Sequence, residues 1–299
     1  MANLFERFPP PGQQFHVNHH RLHIQHFGDH GPAVLFESGQ AGFSLDWMRV
    51  QPEVSRFAQT WSYDRAGLGW SEAGPLPRKP QQVVAEFHAL VEAAVIPRPF
   101  VIVAHSLGVR YACLYTCQYP ANVAGLVLVD GYYEGFDRGL GKERLQRFLR
   151  GRATQYRLMD TLVRLGLLNI FGSQMIVLLG PDFRNMPQQE RNRYVLMATR
   201  PNALATTIDE QAQAVAALAN NPPIVLPHDV PLRILMHGVR WPSPEDERLW
   251  QETQRQAATW STHSKVILAE KSGHTIMLSQ PDLVIEAIRE VIGVAGIAS

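Results

Sequence analysis

The sequence predicts an α/β chain: a mainly parallel, doubly wound sheet with an inserted helical cap. Two observations point to it. Short apolar runs at 33–38 (AVLFES), 60–64 (TWSYD), 99–104 (PFVIVA), 124–130 (AGLVLVD), 232–237 (LRILMH) and 264–270 (SKVILAE) alternate with helical stretches, the pattern of parallel strands covered by helices on both faces. About a hundred residues separate Asp130 from Leu232, far more than one crossover helix needs. Segments such as GKERLQRFLRGRATQYRLMDTLVRLGLLNI and TIDEQAQAVAALAN read as helices rich in Leu, Met and Arg. The core is therefore expected over 1–131 and 229–299, and the cap over 132–228.

A chain of 299 residues suits one large domain carrying an insertion. With 45% hydrophobic residues, 18% charged residues and a net charge of +1, nothing favours a nucleic acid or an anionic membrane as partner. The opening MANLFERFPPPGQQ lacks a basic segment followed by an apolar one, and Cys113 and Cys117, one helical turn apart, read as small buried residues. A cytoplasmic location follows as an expectation. The next segment, FHVNHHRLHIQHF, alternates like an edge hairpin. Its His16, His19, His20, His23 and His26 read as strand surface, because a metal site needs three or four converging ligands.

Ligand chemistry in such a sheet collects beyond the carboxyl ends of the strands. After the run at 33–38 lies the glycine-bearing turn Ser38-Gly39-Gln40-Ala41-Gly42. After 60–64 lies RAGLGWS, where Gly67 and Gly69 permit tight turns and Asp64 and Arg65 can tie the loop together. Phe100–Ala104 is a continuous apolar run, as a buried strand requires. From Val109 to Tyr119 there is neither Gly nor Pro, and Pro120 follows, so a helix is expected. Ser106 sits on the turn between the two. A hydroxyl needs a base to attack, and the oxyanion it creates needs waiting donors. A tight strand-to-helix turn exposes Ser106 Oγ and aims helical N–H groups at the same point, provided its neighbours are small, as Ala104 and Gly108 are.

Three later strand ends complete the pattern. Asp130 closes an apolar run, where a carboxylate needs a partner. Trp241 follows the run at 232–237 and its Gly238, and SPEDERLW begins a helix with Ser243 as cap and Glu245, Asp246 and Glu247 in its first turn. Gly273 lets the chain bend just before His274.

Taken together, these motifs resemble those of the α/β-hydrolase family. AHSLG, residues 104–108, is similar to its G-x-S-x-G nucleophile elbow, with Ala104 for the first glycine and Val109 where another glycine is common. SGQAG resembles the H-G-x-G oxyanion loop with Ser38 for the histidine, DRAGLGWS the D-R-x-G-x-G-x-S turn, and SGHTIML the C-terminal histidine loop. The resemblance implies Ser106 as nucleophile, His274 as base, and the N–H groups of Gln40 and Leu107 as the oxyanion hole. Many relatives carry the acid where this chain has Trp241. Others, haloalkane dehalogenases among them, carry it at the position of Asp130, so Asp130 is expected, with Glu245 or Asp246 as the alternative.

Tyr132, Tyr133, Phe136 and Trp241 are candidates for the pocket. The implied activity is hydrolysis of an uncharged, fairly hydrophobic ester or lactone through an acyl-enzyme, without metal or organic cofactor. The same triad in relatives serves carbon–carbon bond hydrolysis or peracid formation, and a receptor could keep the fold without turnover. A serine at 106 counts against dehalogenase and epoxide-hydrolase chemistry, because those relatives use Asp. Residues 165–180, LGLLNIFGSQMIVLLG, are expected as a buried or cleft-facing helix, too short and too interrupted to span a bilayer.

Overall fold

In a computed structural model, which describes residues 6, 8–165, 181–217, 226–239 and 241–297, eight strands form one sheet: β1 (Gln13–Val17), β2 (His20–Phe27), β3 (Ala33–Glu37), β4 (Gln59–Tyr63), β5 (Phe100–His105), β6 (Val123–Val129), β7 (Leu232–His237) and β8 (Ser264–Ala269). Their spatial order is β1-β2-β4-β3-β5-β6-β7-β8. The β1–β2 hairpin is antiparallel and joins β4 antiparallel, while every pairing from β4 to β8 is parallel. Every residue of β3, β5 and β7 is buried, which is why their sequences are continuous apolar runs without alternation.

Helices cover both faces: α1 (Gln51–Val54), α2 (Pro80–Ala93), α3 (Gly108–Gln118), α4 (Glu134–Arg164), α5 (Gln188–Ala198), α6 (Pro201–Ala216), α7 (Pro244–Ala257), α8 (Ile276–Ser279) and α9 (Pro281–Ala295). Two apolar clusters result, one beneath α2 and α3 and one beneath α9. Between β6 and β7 the chain contributes α4, broken at Gly141 where φ is +71°, together with α5 and α6. The segment expected as an apolar helix, 165–180, lies outside the described residues apart from the exposed turn residue Leu165. No helix among the described residues is long and apolar enough to cross a membrane.

Two surface expectations are corrected. His20 and His23 are buried: His23 Nδ1 lies 2.9 Å from Asp64 Oδ2, and its Nε2 accepts from the Gly12 N–H at 3.1 Å. The hairpin packs this face inward, so a polar strand residue finds a carboxylate from the β4 turn. Cys113 is buried as expected, but Cys117 is exposed, because it follows the fully buried Thr116 around the last turn of α3 onto the solvent side.

The turn after β5 requires glycine at 108. A Cβ there would sit 2.5 Å from the Ser38 carbonyl oxygen, a backbone contact that cannot rotate away. Gly108→Ala is therefore expected to lower the urea midpoint, costing about 1–3 kcal/mol. Gly293→Ala, in α9 with nothing within 4 Å of the added methyl, should leave the midpoint unchanged or raise it. Equal midpoints for the two variants would show that the close approach is not a constraint.

Candidate active site

Ser106 occupies the left-handed region, φ +50°, a conformation that a non-glycine residue holds only where its surroundings impose it. Its N–H donates to the Val129 carbonyl at 3.1 Å, and its carbonyl accepts from the Tyr132 N–H at 3.0 Å. The elbow is thus clamped between β5 and the end of β6. The loop after β3 passes directly over it: a Cβ on Gly39 would lie 3.1 Å from Ser106 Cβ and 2.7 Å from His105 Nδ1. Gln40 and Leu107 face the same cavity as Ser106 and His274. Neither backbone N–H has an acceptor among the described residues.

His274 Nε2 lies 2.9 Å from Ser106 Oγ, and its Nδ1 lies 2.6 Å from Asp130 Oδ2. The His274 carbonyl accepts from His105 Nε2 at 2.9 Å, which fixes the proton of His105 on that nitrogen. Burial, aided by the neighbouring His274, holds the pKa of His105 down to about 3. It is a neutral strut. The other side of the loop is held by Asp182, which accepts from the N–H and hydroxyl of Thr275 at 3.3 and 3.0 Å.

Asp130 also has positive φ, +46°, and is fully buried. Besides His274, its carboxylate accepts from Trp250 Nε1 at 3.0 Å and from His237 Nδ1 at 2.8 Å. Burial would raise its pKa, but the donors His237 and His274 outweigh that and hold the carboxyl below the usual range. His237, the last residue of β7, continues the chain: its Nε2 lies 2.9 Å from Glu247 Oε2 on α7. Burial opposes its charge, yet the carboxylates on either side prevail and push its pKa up to about 9. His237 is an imidazolium at neutral pH, donating from both nitrogens. Trp241 stacks on it at 5.3 Å, and the Trp241 N–H donates to Glu247 at 3.2 Å. Five side chains therefore run in line, Ser106, His274, Asp130, His237 and Glu247.

Of the sequence candidates, Ser106, His274 and Asp130 come together. Glu245 and Asp246 do not; both pair with Arg144 of α4 at the surface. Tyr132, Phe136 and Trp241 line the cavity at Ser106. Tyr133 is a correction: its ring turns the other way, edge-on to Trp260 at 5.4 Å, and lines a separate cavity with Val109 and Cys113. Consecutive residues after Gly131 point to opposite sides, so only one of the two tyrosines can face the cleft. Sequence reasoning missed His237 and Arg152, and read Glu247 only as a first-turn acid of α7, where it in fact accepts from His237. The strand-end rule that singled out Asp130 also applies to His237, whereas nothing local marks Arg152.

A family-wide sequence description, the Alpha/beta hydrolase family, matches residues 30–287. The Bacillus subtilis (strain 168) protein YqjL is 30% identical over 119 residues, 40% of this chain and 45% of its own length. A Schizosaccharomyces pombe protein, C23C11.06c, is 25% identical over 279 residues, 91% of this chain and 47% of its own. The chain thus spans about half the length of these curated relatives. Among solved structures, a variant of an epoxide hydrolase from Bacillus megaterium superposes with a TM-score of 0.71 at 17% identity, covering 94% of this chain and 100% of that one. A thermophilic esterase from Thermogutta terrifontis superposes with a TM-score of 0.66 at 18% identity, covering 95% and 98%. At these identities the likeness is one of fold.

The charge on His237 predicts a pH dependence. Its native pKa of about 9 exceeds the unfolded value of about 6.5. Its stabilisation is therefore complete below pH 6.5 and is lost as pH rises through 9, a change on the order of 3 kcal/mol. Thermal melts between pH 6.5 and 9.5 should show this loss in the wild type and a much smaller one in His237→Gln. Parallel curves for the two proteins would exclude a charged His237.

Proposed function

Because the chain belongs to the alpha/beta hydrolase family, we propose that it hydrolyses a carboxylic ester or lactone through an acyl-enzyme at Ser106. The observation that carries this reading is the unbroken line from Ser106 Oγ through His274 to Asp130, with spacings of 2.9 and 2.6 Å. Both distances are those of proton transfer and charge-assisted orientation.

In the first half-reaction Ser106 Oγ bonds to the acyl carbon while His274 Nε2 takes its proton. The carbonyl electron pair moves to the oxygen, where the N–H groups of Gln40 and Leu107 receive it. Collapse of this intermediate breaks the carbon–oxygen ester bond, and His274 returns the proton to the leaving alkoxide. Water then attacks the acyl-enzyme with His274 as base, the acid leaves, and Ser106 recovers its proton. Asp130 fixes the tautomer of His274 and stabilises the imidazolium at each stage. Glu247 and Asp130 share the single positive charge of His237, so the group retains a negative charge for His274 to meet.

Serine at 106 supports acyl transfer over the epoxide chemistry named for one structural neighbour. A cavity of about 250 Å³, walled by Tyr132, Phe136, Phe148, Trp241 and Trp250, supports a small substrate with a hydrophobic body. A cytoplasmic location belongs to the same proposal.

Intact mass after treatment with a small fluorophosphonate tests the activated serine. One adduct is expected on the wild type and none on Ser106→Ala. Labelling of Asp130→Asn should be about a hundredfold slower or more. Ester turnover by the wild type but not by Ser106→Ala separates an enzyme from a ligand receptor. Labelling of Asp130→Asn at the wild-type rate would remove Asp130 from the mechanism.

A further inference from the structure

The cleft that holds Ser106 and His274 also holds a guanidinium. Arg152, on α4, lines a cavity with Ser106, His274 and Asp46, another with Ser106, Phe136 and Trp241, and an outer one with Arg147. Its Nη2 donates to Gln40 Oε1 at 2.6 Å and lies 3.4 Å from the Tyr156 hydroxyl. Its Nε is buried without a hydrogen-bond partner among the described residues. The rings of Phe148 and Tyr156 flank it at 5.9 and 5.8 Å.

Three other arginines near this cleft are neutralised. Arg65 pairs with Glu37 and Glu210, Arg110 with Asp137, and Arg144 with Glu245 and Asp246. Arg152 has no carboxylate partner among the described residues, and neither has Arg147 at the outer end. Two acids line these cavities among the described residues: Asp246, at the outer end, is paired with Arg144, and Asp46 accepts from the Tyr194 hydroxyl at 2.8 Å, where burial pushes its pKa up to about 7. Arg152 is partly buried, its Nε enclosed and without a carboxylate beside it, and the planar fork of a guanidinium matches a carboxylate. A second cation at the entrance steers an anion inward.

We propose that Arg152 receives a carboxylate of the substrate, so that the ester cleaved at Ser106 belongs to a hydrophobic acid carrying a second, free carboxylate. This rests on Ser106 being the nucleophile, and it replaces the uncharged substrate expected from the apolar cap. The aromatic walls take the body of the molecule and the guanidinium takes its charged end. Cleavage leaves a dicarboxylate and an alcohol, with water as the only co-reactant.

Acid release in a pH-stat from monoethyl succinate, glutarate and adipate, set against ethyl butyrate, valerate and hexanoate, tests the assignment. For at least one chain length the wild type should favour the acid half-ester in kcat/KM by about tenfold or more. Arg152→Gln should bring that ratio to about one, and Arg152→Lys should restore part of it. A wild-type ratio of one or below overturns the proposal. So does an unchanged ratio in Arg152→Gln with both rates reduced, the signature of an arginine that only clasps Gln40. If no ester turns over and the fluorophosphonate leaves Ser106 unlabelled, the nucleophile reading fails by itself. Glutarate titrated into Ser106→Ala, read by tryptophan fluorescence, then decides on Arg152: saturable quenching lost in Arg152→Gln upholds the carboxylate site, and its absence refutes it.

Discussion

The site depends on keeping Asp130 ionised where no water reaches it. A buried carboxylate alone would take up a proton, since desolvation penalises its charge. Here His237, His274 and the Trp250 indole all donate to it. His237 is itself buried and charged, and Glu247 on α7 makes that charge tolerable by accepting from its second nitrogen. The geometry of the proposed triad therefore extends two residues beyond it. The cost of one buried ion is met by a line of alternating donors and acceptors in which no member is left unpaired, the condition under which buried polar networks hold a single arrangement.

A second network sets the loop that passes over Ser106. Arg65 is buried and donates to Glu37, Glu210 and the carbonyls of Ser38 and Gly39. It joins the ends of β3 and β4 to α6 in the inserted region. Gln40 repeats the connection nearer the cavity, donating to Gln211 at 2.5 Å and accepting from Arg152. Buried ion pairs of this kind contribute less to stability than to position, because desolvation offsets most of their attraction. Their effect is to hold the loop that carries Gln40 over the elbow. The Gln40 side chain thus ties the proposed oxyanion loop to Gln211 on α6 and to Arg152, the proposed carboxylate receptor, on α4.

The sheet and the elbow were legible from sequence because their signals are local. A strand buried on both faces must be a continuous apolar run, and a serine between such a run and a helix free of Gly and Pro has to stand on a tight turn. Asp130 and His274 were legible because strand ends in a parallel sheet share one edge. The same rule applies to β7, whose end offers His237, Trp241 and the carboxylates after it alike. The partners of His237 lie 107 and 10 residues away, and nothing in LRILMHG distinguishes a charged histidine from a satisfied core one.

By itself, then, the sequence determined the order of strands and helices, the turn that exposes Ser106, and the strand ends available to assist it, because each follows from backbone sterics and the burial of apolar runs. Only the tertiary structure decided which carboxylate meets His274, which of Tyr132 and Tyr133 faces the cleft, that His20 and His23 turn inward, and that Arg152 enters the cavity without a counter-ion among the described residues. Those outcomes depend on side chains distant in the chain converging in space. Composition and spacing do not record whether a charge finds its partner.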